Sequence, residues 1–119
     1  MDDAILSALA SERTIDITTT GRKSGEARRI EIWFHNIDGR IYITGMPGRR
    51  SWYANLLADP RFTFHLKESV QADLAATARP ITEEAERRKI LGVIVARVSD
   101  PDRLDAWLAR SPLIEVSFD

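Results

Sequence analysis

Two strand-like runs separated by Asp38-Gly39 constrain the fold of this 119-residue chain more than any other feature. The runs Arg29 to Ile37 and Arg40 to Thr44 are rich in β-branched and aromatic residues, which favour extended backbone. Asp-Gly is a dipeptide that readily adopts the positive φ angles of a tight hairpin turn. The sequence therefore predicts an antiparallel hairpin here and excludes an all-helical fold.

Four further runs have the pattern of strands, at Thr14 to Thr20, Arg61 to Lys67, Val70 to Arg79 and Ile114 to Phe118. Each alternates apolar with polar residues, so that one face of the strand is buried and the other is exposed. Strands that follow one another closely in the chain pair antiparallel, because parallel pairing needs a long crossover connection.

Helices are predicted between these strands. Apolar residues recur at helical spacing from Ala4 to Leu9, and Ser51 is placed to cap a helix from Trp52 to about Ala58. A third helix starts near Thr82, where acidic residues occupy the first turn, and reaches Val98. Asp100-Pro101 opens a fourth, with proline at its favoured first position. We expect a mainly β (α+β) fold, a small barrel of about six antiparallel strands with three or four short helices, in one domain over residues 1–119.

Composition excludes several classes of function. The 17 basic and 18 acidic residues give a net charge of -1, so no global charge favours nucleic acid or an anionic membrane. The absence of cysteine excludes disulfides and thiolate metal sites and fits a cytoplasmic protein. No apolar run approaches the roughly 20 residues of a transmembrane helix. His35 and His65 lack a third nitrogen ligand, so we expect no metal site.

A basic turn is the most informative functional feature. Gly21 and Gly25 bracket Arg22, Lys23 and Ser24, which offer a forked donor, a point charge and a hydroxyl to phosphate or carboxylate oxygens. The stretch from residue 21 to residue 50 carries a local charge of +4, from Arg22, Lys23, Arg28, Arg29, Arg40, Arg49 and Arg50 against Glu26, Glu31 and Asp38. The pattern indicates an anion site; the alternative is a hairpin turn whose charges are simply solvated.

The adjacent rings of Trp52 and Tyr53 form a second candidate. Neighbouring residues on a helix point about 100° apart, so both rings cannot be buried against the same neighbours. One ring then lines a cleft. The alternative is that Trp52 and Leu56 pack in the core while Tyr53 remains half exposed.

These motifs together resemble the deazaflavin-dependent nitroreductase family. The resemblance rests on the run from Thr18 to Gly25 followed by Arg28, the Asp38-Gly39 hairpin, the break at Gly45, and the stretch from Trp52 to Pro60, in the family's order and at nearly its spacing. The match covers roughly residues 14 to 80, and two ordered motifs are more specific than either alone.

The resemblance implies a split β-barrel that binds reduced deazaflavin coenzyme F-420 in a groove. Position by position, it implies cofactor-tail ligands at Arg22, Lys23, Ser24, Gly25 and Arg28, and a lining of the ring and its exit by Trp33, Thr44, Gly45, Trp52, Tyr53 and Asn55. Residues 45–50 stand where family members commonly carry a Ser-Lys-Gly-Gly-like loop, so Arg49 or Arg50 supplies the charge of the missing lysine.

The function implied is hydride transfer from the reduced deazaflavin to a small conjugated acceptor, such as a quinone, an enone or a nitro compound. Tyr53 is the predicted catalytic residue, as a hydrogen-bond donor on the substrate side. Two alternatives stay open at this point: a non-catalytic carrier of a cofactor or lipid-like ligand, and a reductase that uses FMN. A homodimer is expected because so short a chain encloses a groove poorly alone.

Overall fold

The computed structural model describes the whole chain, residues 1–119, and contains seven strands and four α-helices. The strands are β1 (Thr14–Thr20), β2 (Ala27–Trp33), β3 (His35–Ile37), β4 (Arg40–Thr44), β5 (Arg61–Leu66), β6 (Ala72–Pro80) and β7 (Leu113–Phe118). The helices are α1 (Asp3–Ser11), α2 (Ser51–Ala58), α3 (Glu84–Val98) and α4 (Leu104–Arg110), with a 3-10 turn, Pro101–Arg103, before α4.

All seven strands form one antiparallel sheet in the order β2-β1-β5-β6-β7-β4-β3. The two edge strands, β2 and β3, are consecutive in the chain and separated by the single residue Phe34. In a flat sheet those edges would lie about 29 Å apart, since neighbouring strands are spaced at roughly 4.8 Å. The sheet must therefore curl until its edges approach at Phe34, which gives the split barrel.

The predicted single strand from Arg29 to Ile37 is wrong, because the chain changes partner at Phe34. On one side Trp33 pairs with Thr14 of β1, and on the other His35 pairs with Tyr42 of β4. The amide of Phe34 donates to the carbonyl of Arg13 (2.9 Å), which continues the β1–β2 register by one residue before the chain pairs with β4. Six strands were expected and seven are present for this reason.

The Asp38-Gly39 hairpin is confirmed. Asp38 and Gly39 have φ angles of 53° and 87°, the left-handed values that the turn requires. The side-chain oxygen of Asn36 also accepts a hydrogen bond from the amide of Gly39 (2.9 Å). The turn is therefore fixed both by its backbone preference and by a side-chain contact.

Two apolar clusters support the fold. The larger, of 16 buried residues, fills the inside of the curled sheet and includes Ile17, Phe64 and Trp52. The smaller, of eight buried residues, lies between α3, α4 and the sheet, where Leu91 and Trp107 are buried. The inward side predicted for α3, Ile90, Leu91 and Ile94, is confirmed.

Two helix starts differ from expectation. Ser51 is the first residue of α2 and not its cap; the cap position is Arg50, which makes no capping side-chain bond. Glu83, rather than Thr82, caps α3 by accepting from the amides of Ala85 and Glu86. Asp100 caps the Pro101 turn as its sequence suggests.

The predicted mainly β (α+β) class with a split barrel is confirmed. None of the helices combines the length and apolar character needed to cross a bilayer. The cytoplasmic location stays a prediction.

Candidate functional site

The Gly21–Gly25 turn joins β1 to β2 and is closed by its own backbone. The amide of Gly25 donates to the carbonyl of Gly21 (2.8 Å), and the amide of Gly21 donates to the carbonyl of Glu26 (2.7 Å). A Cβ at Gly21 would lie 2.8 Å from Ser24 Oγ and 3.1 Å from the Glu26 carbonyl oxygen, closer than normal contacts allow. Glycine is therefore required at position 21 by space, and at position 25 by a φ of 73°.

Asn55 fixes the turn to α2. Its side-chain oxygen accepts from the backbone amide of Arg22 (3.1 Å) and from the Arg22 guanidinium (2.9 Å), while its amide nitrogen donates to Thr19 Oγ1 (3.1 Å). Asn55 and Thr19 are both buried. The polar atoms of Asn55 are thus occupied by the protein, and the residue acts by holding Arg22 in place.

The rest of the turn offers unused donors. The backbone amides of Lys23 and Ser24 donate to no other group of the protein. Ser24 Oγ accepts from the amide of Glu26 (3.2 Å) and weakly from Arg28 (3.4 Å). The turn borders a depression of about 370 Å³ that is also lined by Ser51 and Trp52. Outward amides beside two cations are the donor set that phosphate and carboxylate oxygens need.

The loop of residues 45–50 extends this depression. The Arg50 guanidinium donates to the carbonyls of Arg49 (2.8 Å) and Met46 (2.9 Å), so its charge is held on the loop. A second hollow of about 330 Å³ brings Arg22, Arg49, Arg50 and Tyr53 together. The charges predicted at the turn and at the loop therefore meet.

Beyond Tyr53 lies a larger cleft of about 560 Å³, here called the arginine cleft. Its walls are the end of the loop, α2, and the end of α4, and it is lined by Gly48, Arg49, Arg50, Tyr53, Thr82, Arg87, Leu108, Ala109, Arg110, Ser111 and Pro112. Volumes of about 300–1,000 Å³ are usual for small-molecule sites. Sequence reasoning missed this C-terminal wall, because Arg110 ends a helix and is linked to the loop only by tertiary contact.

Trp52 and Tyr53 are arranged as in the alternative interpretation, with one ring in the core and the other half exposed. Trp52 is 6% exposed and packs in the core with Leu56, whereas Tyr53 is half-buried and faces the hollows. The two rings meet edge to face, with centroids 6.0 Å apart. Tyr53 is thus the ring available to a ligand along most of the groove.

Three predicted ring-lining residues do not lie in these hollows. Trp33 is at the opposite end of β2 from the turn, about 20 Å away along the strand, with Arg13 over its ring. Thr44 is buried, and its hydroxyl donates to the carbonyl of Pro112 (2.5 Å). Gly45 packs behind the loop, where a Cβ would lie 3.5 Å from Arg50 Nε.

Cations elsewhere on the sheet are paired with carboxylates. Asp16 lies between Lys67 (2.7 Å) and Arg29 (2.9 Å), and hydrogen bonding from Lys67 lowers its pKa. Arg79 lies between Glu86 (2.6 Å) and Glu115 (2.8 Å), and its hydrogen bond lowers the pKa of Glu86. No carboxylate lines the three hollows described above. Arg28 is the exception among the lining cations, since its guanidinium lies 3.7 Å from the exposed carboxylate of Glu26. The other cations of the groove have no carboxylate partner, so positive charge is concentrated there.

The curled antiparallel sheet, open at one end beside a cationic groove, defines the class of split-barrel domains. Residues 5–116 match the family model of the F420H(2)-dependent quinone reductases, so the chain belongs to that family. It is an oxidoreductase family whose cofactor is the reduced deazaflavin F420, and the predicted cofactor and reductase activity are confirmed at this level.

Solved structures agree with this fold. A conserved hypothetical protein from Mycobacterium tuberculosis is 20% identical, with a TM-score of 0.74 over 99% of this chain and 81% of its own. An F420-H2 dependent reductase is 23% identical, with a TM-score of 0.65 over 89% of this chain and 95% of its own. A structure described as a domain-swapped dimer has the same identity and TM-score, over 89% of this chain and 81% of its own.

Proposed function

We propose that the groove running from the Gly21–Gly25 turn past Tyr53 binds reduced F420 and presents it to a quinone-like acceptor in the arginine cleft. The observation that carries this proposal is the row of cations without a lining carboxylate. A phosphate and an acidic tail are the parts of a coenzyme that such a row holds, even on a protein of net charge -1.

Residues at different positions along the groove bind different parts of the cofactor. The free amides of Lys23 and Ser24, with the side chains of Arg22, Lys23 and Arg28, hold the phosphate and tail. Arg49 and Arg50 continue the positive charge along the groove. Fixed donors of this kind orient a ligand before the reaction, which lowers the entropic cost of reaching the reactive geometry.

The bound cofactor supplies a hydride, and an acceptor quinone that takes this hydride and one proton becomes a hydroquinone. Tyr53 lies between the turn hollow and the arginine cleft, and its hydroxyl makes no hydrogen bond within the protein. A free phenol at that point donates a hydrogen bond to the acceptor oxygen, where negative charge develops during the transfer.

Binding tests the assignment directly. In Arg22→Gln/Lys23→Gln we expect the affinity for F420 to fall by about 100-fold, since two charge-assisted bonds are lost. The matched control is Arg88→Gln/Lys89→Gln, which removes the same charge from exposed positions of α3. Titration by cofactor fluorescence reads out both. Equal affinity in the two double variants rejects the site, and retention of FMN instead of F420 rejects the cofactor.

A homodimer is part of the proposal. Strand β2 is a sheet edge with two exposed apolar side chains, Trp33 (46% exposed) on one face and Ile30 (38% exposed) on the other. Such an edge favours pairing with a second chain. We expect analytical ultracentrifugation to show a dimer that Trp33→Glu dissociates; a monomer at all concentrations contradicts it.

A further inference from the structure

The arginine cleft is a built space whose two walls are joined by a backbone hydrogen bond. The amide of Gly48 in the loop donates to the carbonyl of Arg110 at the end of α4 (3.1 Å). The Thr44 hydroxyl holds the next segment of the wall through the carbonyl of Pro112. The opening between the walls is thus set by the fold rather than by mobile side chains.

The end of a helix normally repels anions, because its last carbonyls carry partial negative charge. Here the positive charge of Arg87 offsets the partial negative charge of these carbonyls. Its guanidinium donates to the carbonyls of Trp107 (3.3 Å), Leu108 (2.9 Å) and Ser111 (2.8 Å), and also to that of Ile81 (3.0 Å). The C-terminal end of α4 is therefore neutralised from within, and Arg87 has little capacity left for a ligand.

Two cations in the cleft remain available. Arg49 and Arg110 are exposed and make no hydrogen bond or ion pair through their side chains. The guanidinium of Arg50 lines the same cleft but is held by loop carbonyls. The cleft therefore holds cations without a protein partner, and no residue of the Gly21–Gly25 turn lines it.

We propose that the arginine cleft is a second anion subsite, specific for a carboxylate or similar acid group, with Arg110 as its main specificity determinant. The inference rests on the proposed function in placing the acceptor beside Tyr53, and it adds that the acceptor side of the groove recognises an acidic ligand. The acid group has two sources: a side group of an acidic conjugated acceptor, or the tail of the cofactor.

Turnover with a matched pair of acceptors separates these sources. For Arg110→Gln we expect the KM for 1,4-naphthoquinone-2-carboxylate to rise about tenfold, while the KM for its uncharged methyl ester changes less than about twofold. The control is Arg103→Gln, an exposed cation with no partner that precedes α4. If the acid group is the cofactor tail, Arg110→Gln instead weakens binding of F420 more than binding of its tail-less fragment.

A third measurement does not depend on the cofactor. Two-dimensional amide NMR of the free protein titrated with naphthalene-2-carboxylate is expected to shift residues 48–50 and 108–111, and the naphthoate methyl ester is expected not to. Arg110→Gln removes those shifts. If F420 does not bind but these shifts occur, the proposed function fails and the subsite stands. The opposite result is that F420 binds while Arg110→Gln changes neither the KM for the acidic acceptor, nor the affinity for the cofactor tail, nor the NMR shifts. In that case the subsite is overturned and the proposed function stands.

Discussion

Asn55 Oδ1 accepts hydrogen bonds from both the backbone amide and the guanidinium of Arg22, 33 residues away. The same side chain donates to Thr19 Oγ1 inside the barrel. One buried amide therefore joins α2, the end of β1 and the cationic turn. The family resemblance suggests a ring contact for this residue, whereas its geometry gives it a positioning role.

Asn55→Ala tests that role. The substitution leaves the Arg22 amide without a partner, and we expect it to lower the free energy of unfolding by about 1–3 kcal/mol. F420 affinity falls about tenfold as the turn loosens, and Asn55→Asp restores much of it by keeping the acceptor oxygens. Leu57→Ala, at an exposed position of the same helix that lines none of the hollows, is the control. Fluorescence titration and thermal melts measure both; unchanged affinity in Asn55→Ala contradicts the positioning role.

Tyr53→Phe separates binding from turnover. The ring, its edge contact with Trp52 and its packing persist, so F420 affinity should change less than about twofold. Loss of the hydroxyl removes a donor to the acceptor oxygen, and we expect kcat to fall about tenfold to 100-fold. Steady-state assays with a naphthoquinone measure this. A kcat equal to that of the unmodified protein would show that Tyr53 is not the hydrogen-bond donor to the acceptor.

His35 makes stability depend on pH. Burial, reinforced by the charges of Arg97 and Arg13, lowers the pKa of its imidazole from 6.5 to about 4. The unfolded chain therefore binds the proton more readily than the folded one, so the free energy of unfolding is highest above pH 6.5 and falls as the pH drops toward 4. The full loss is about 3 kcal/mol.

Urea unfolding at several pH values between 4.5 and 7.5 checks this dependence. His35→Gln removes the titrating group, so its curve should be flatter than that of the unmodified protein over this range. The carboxylates with lowered pKa values, such as Asp16, are present in both proteins, so their protonation contributes equally to the two curves. Parallel curves for the two proteins would show that His35 is not the titrating group.

Arg87→Met should lower the free energy of unfolding by about 2–4 kcal/mol, because it leaves the carbonyls of Leu108 and Ser111 without their partner. Arg88→Met is the neighbouring control: Arg88 only meets the exposed Glu84 at 3.5 Å, and its loss should cost less than about 0.5 kcal/mol. Denaturant unfolding distinguishes them, and equal losses would contradict the role given to Arg87.

Local patterns predicted most of the fold, because hairpin chemistry and strand alternation act between neighbours in sequence. They failed at Phe34, where the chain stays extended while its hydrogen-bonding partner changes from β1 to β4. That change is a property of the curled sheet as a whole. No spacing between Arg29 and Ile37 encodes it.

The candidate site divides in the same way. The turn and the Trp52-Tyr53 pair could be located because their glycines, charges and rings are adjacent in the chain. Arg110 and Arg87 could not, since they reach the groove only after α3 and α4 pack together. The motif pointed to Asn55, but the contacts of this residue depend on distances to Arg22 and Thr19 that no motif contains.

The uncompensated cations of the groove also affect how this protein behaves in the test tube. Guanidinium and ammonium groups that lie close together repel one another, and a multivalent anion that binds among them favours the folded state by mass action. The melting temperature should therefore be higher in phosphate buffer than in Tris at the same pH and ionic strength. Phosphate in the buffer then acts as a ligand of the folded protein, and its concentration sets part of the measured stability.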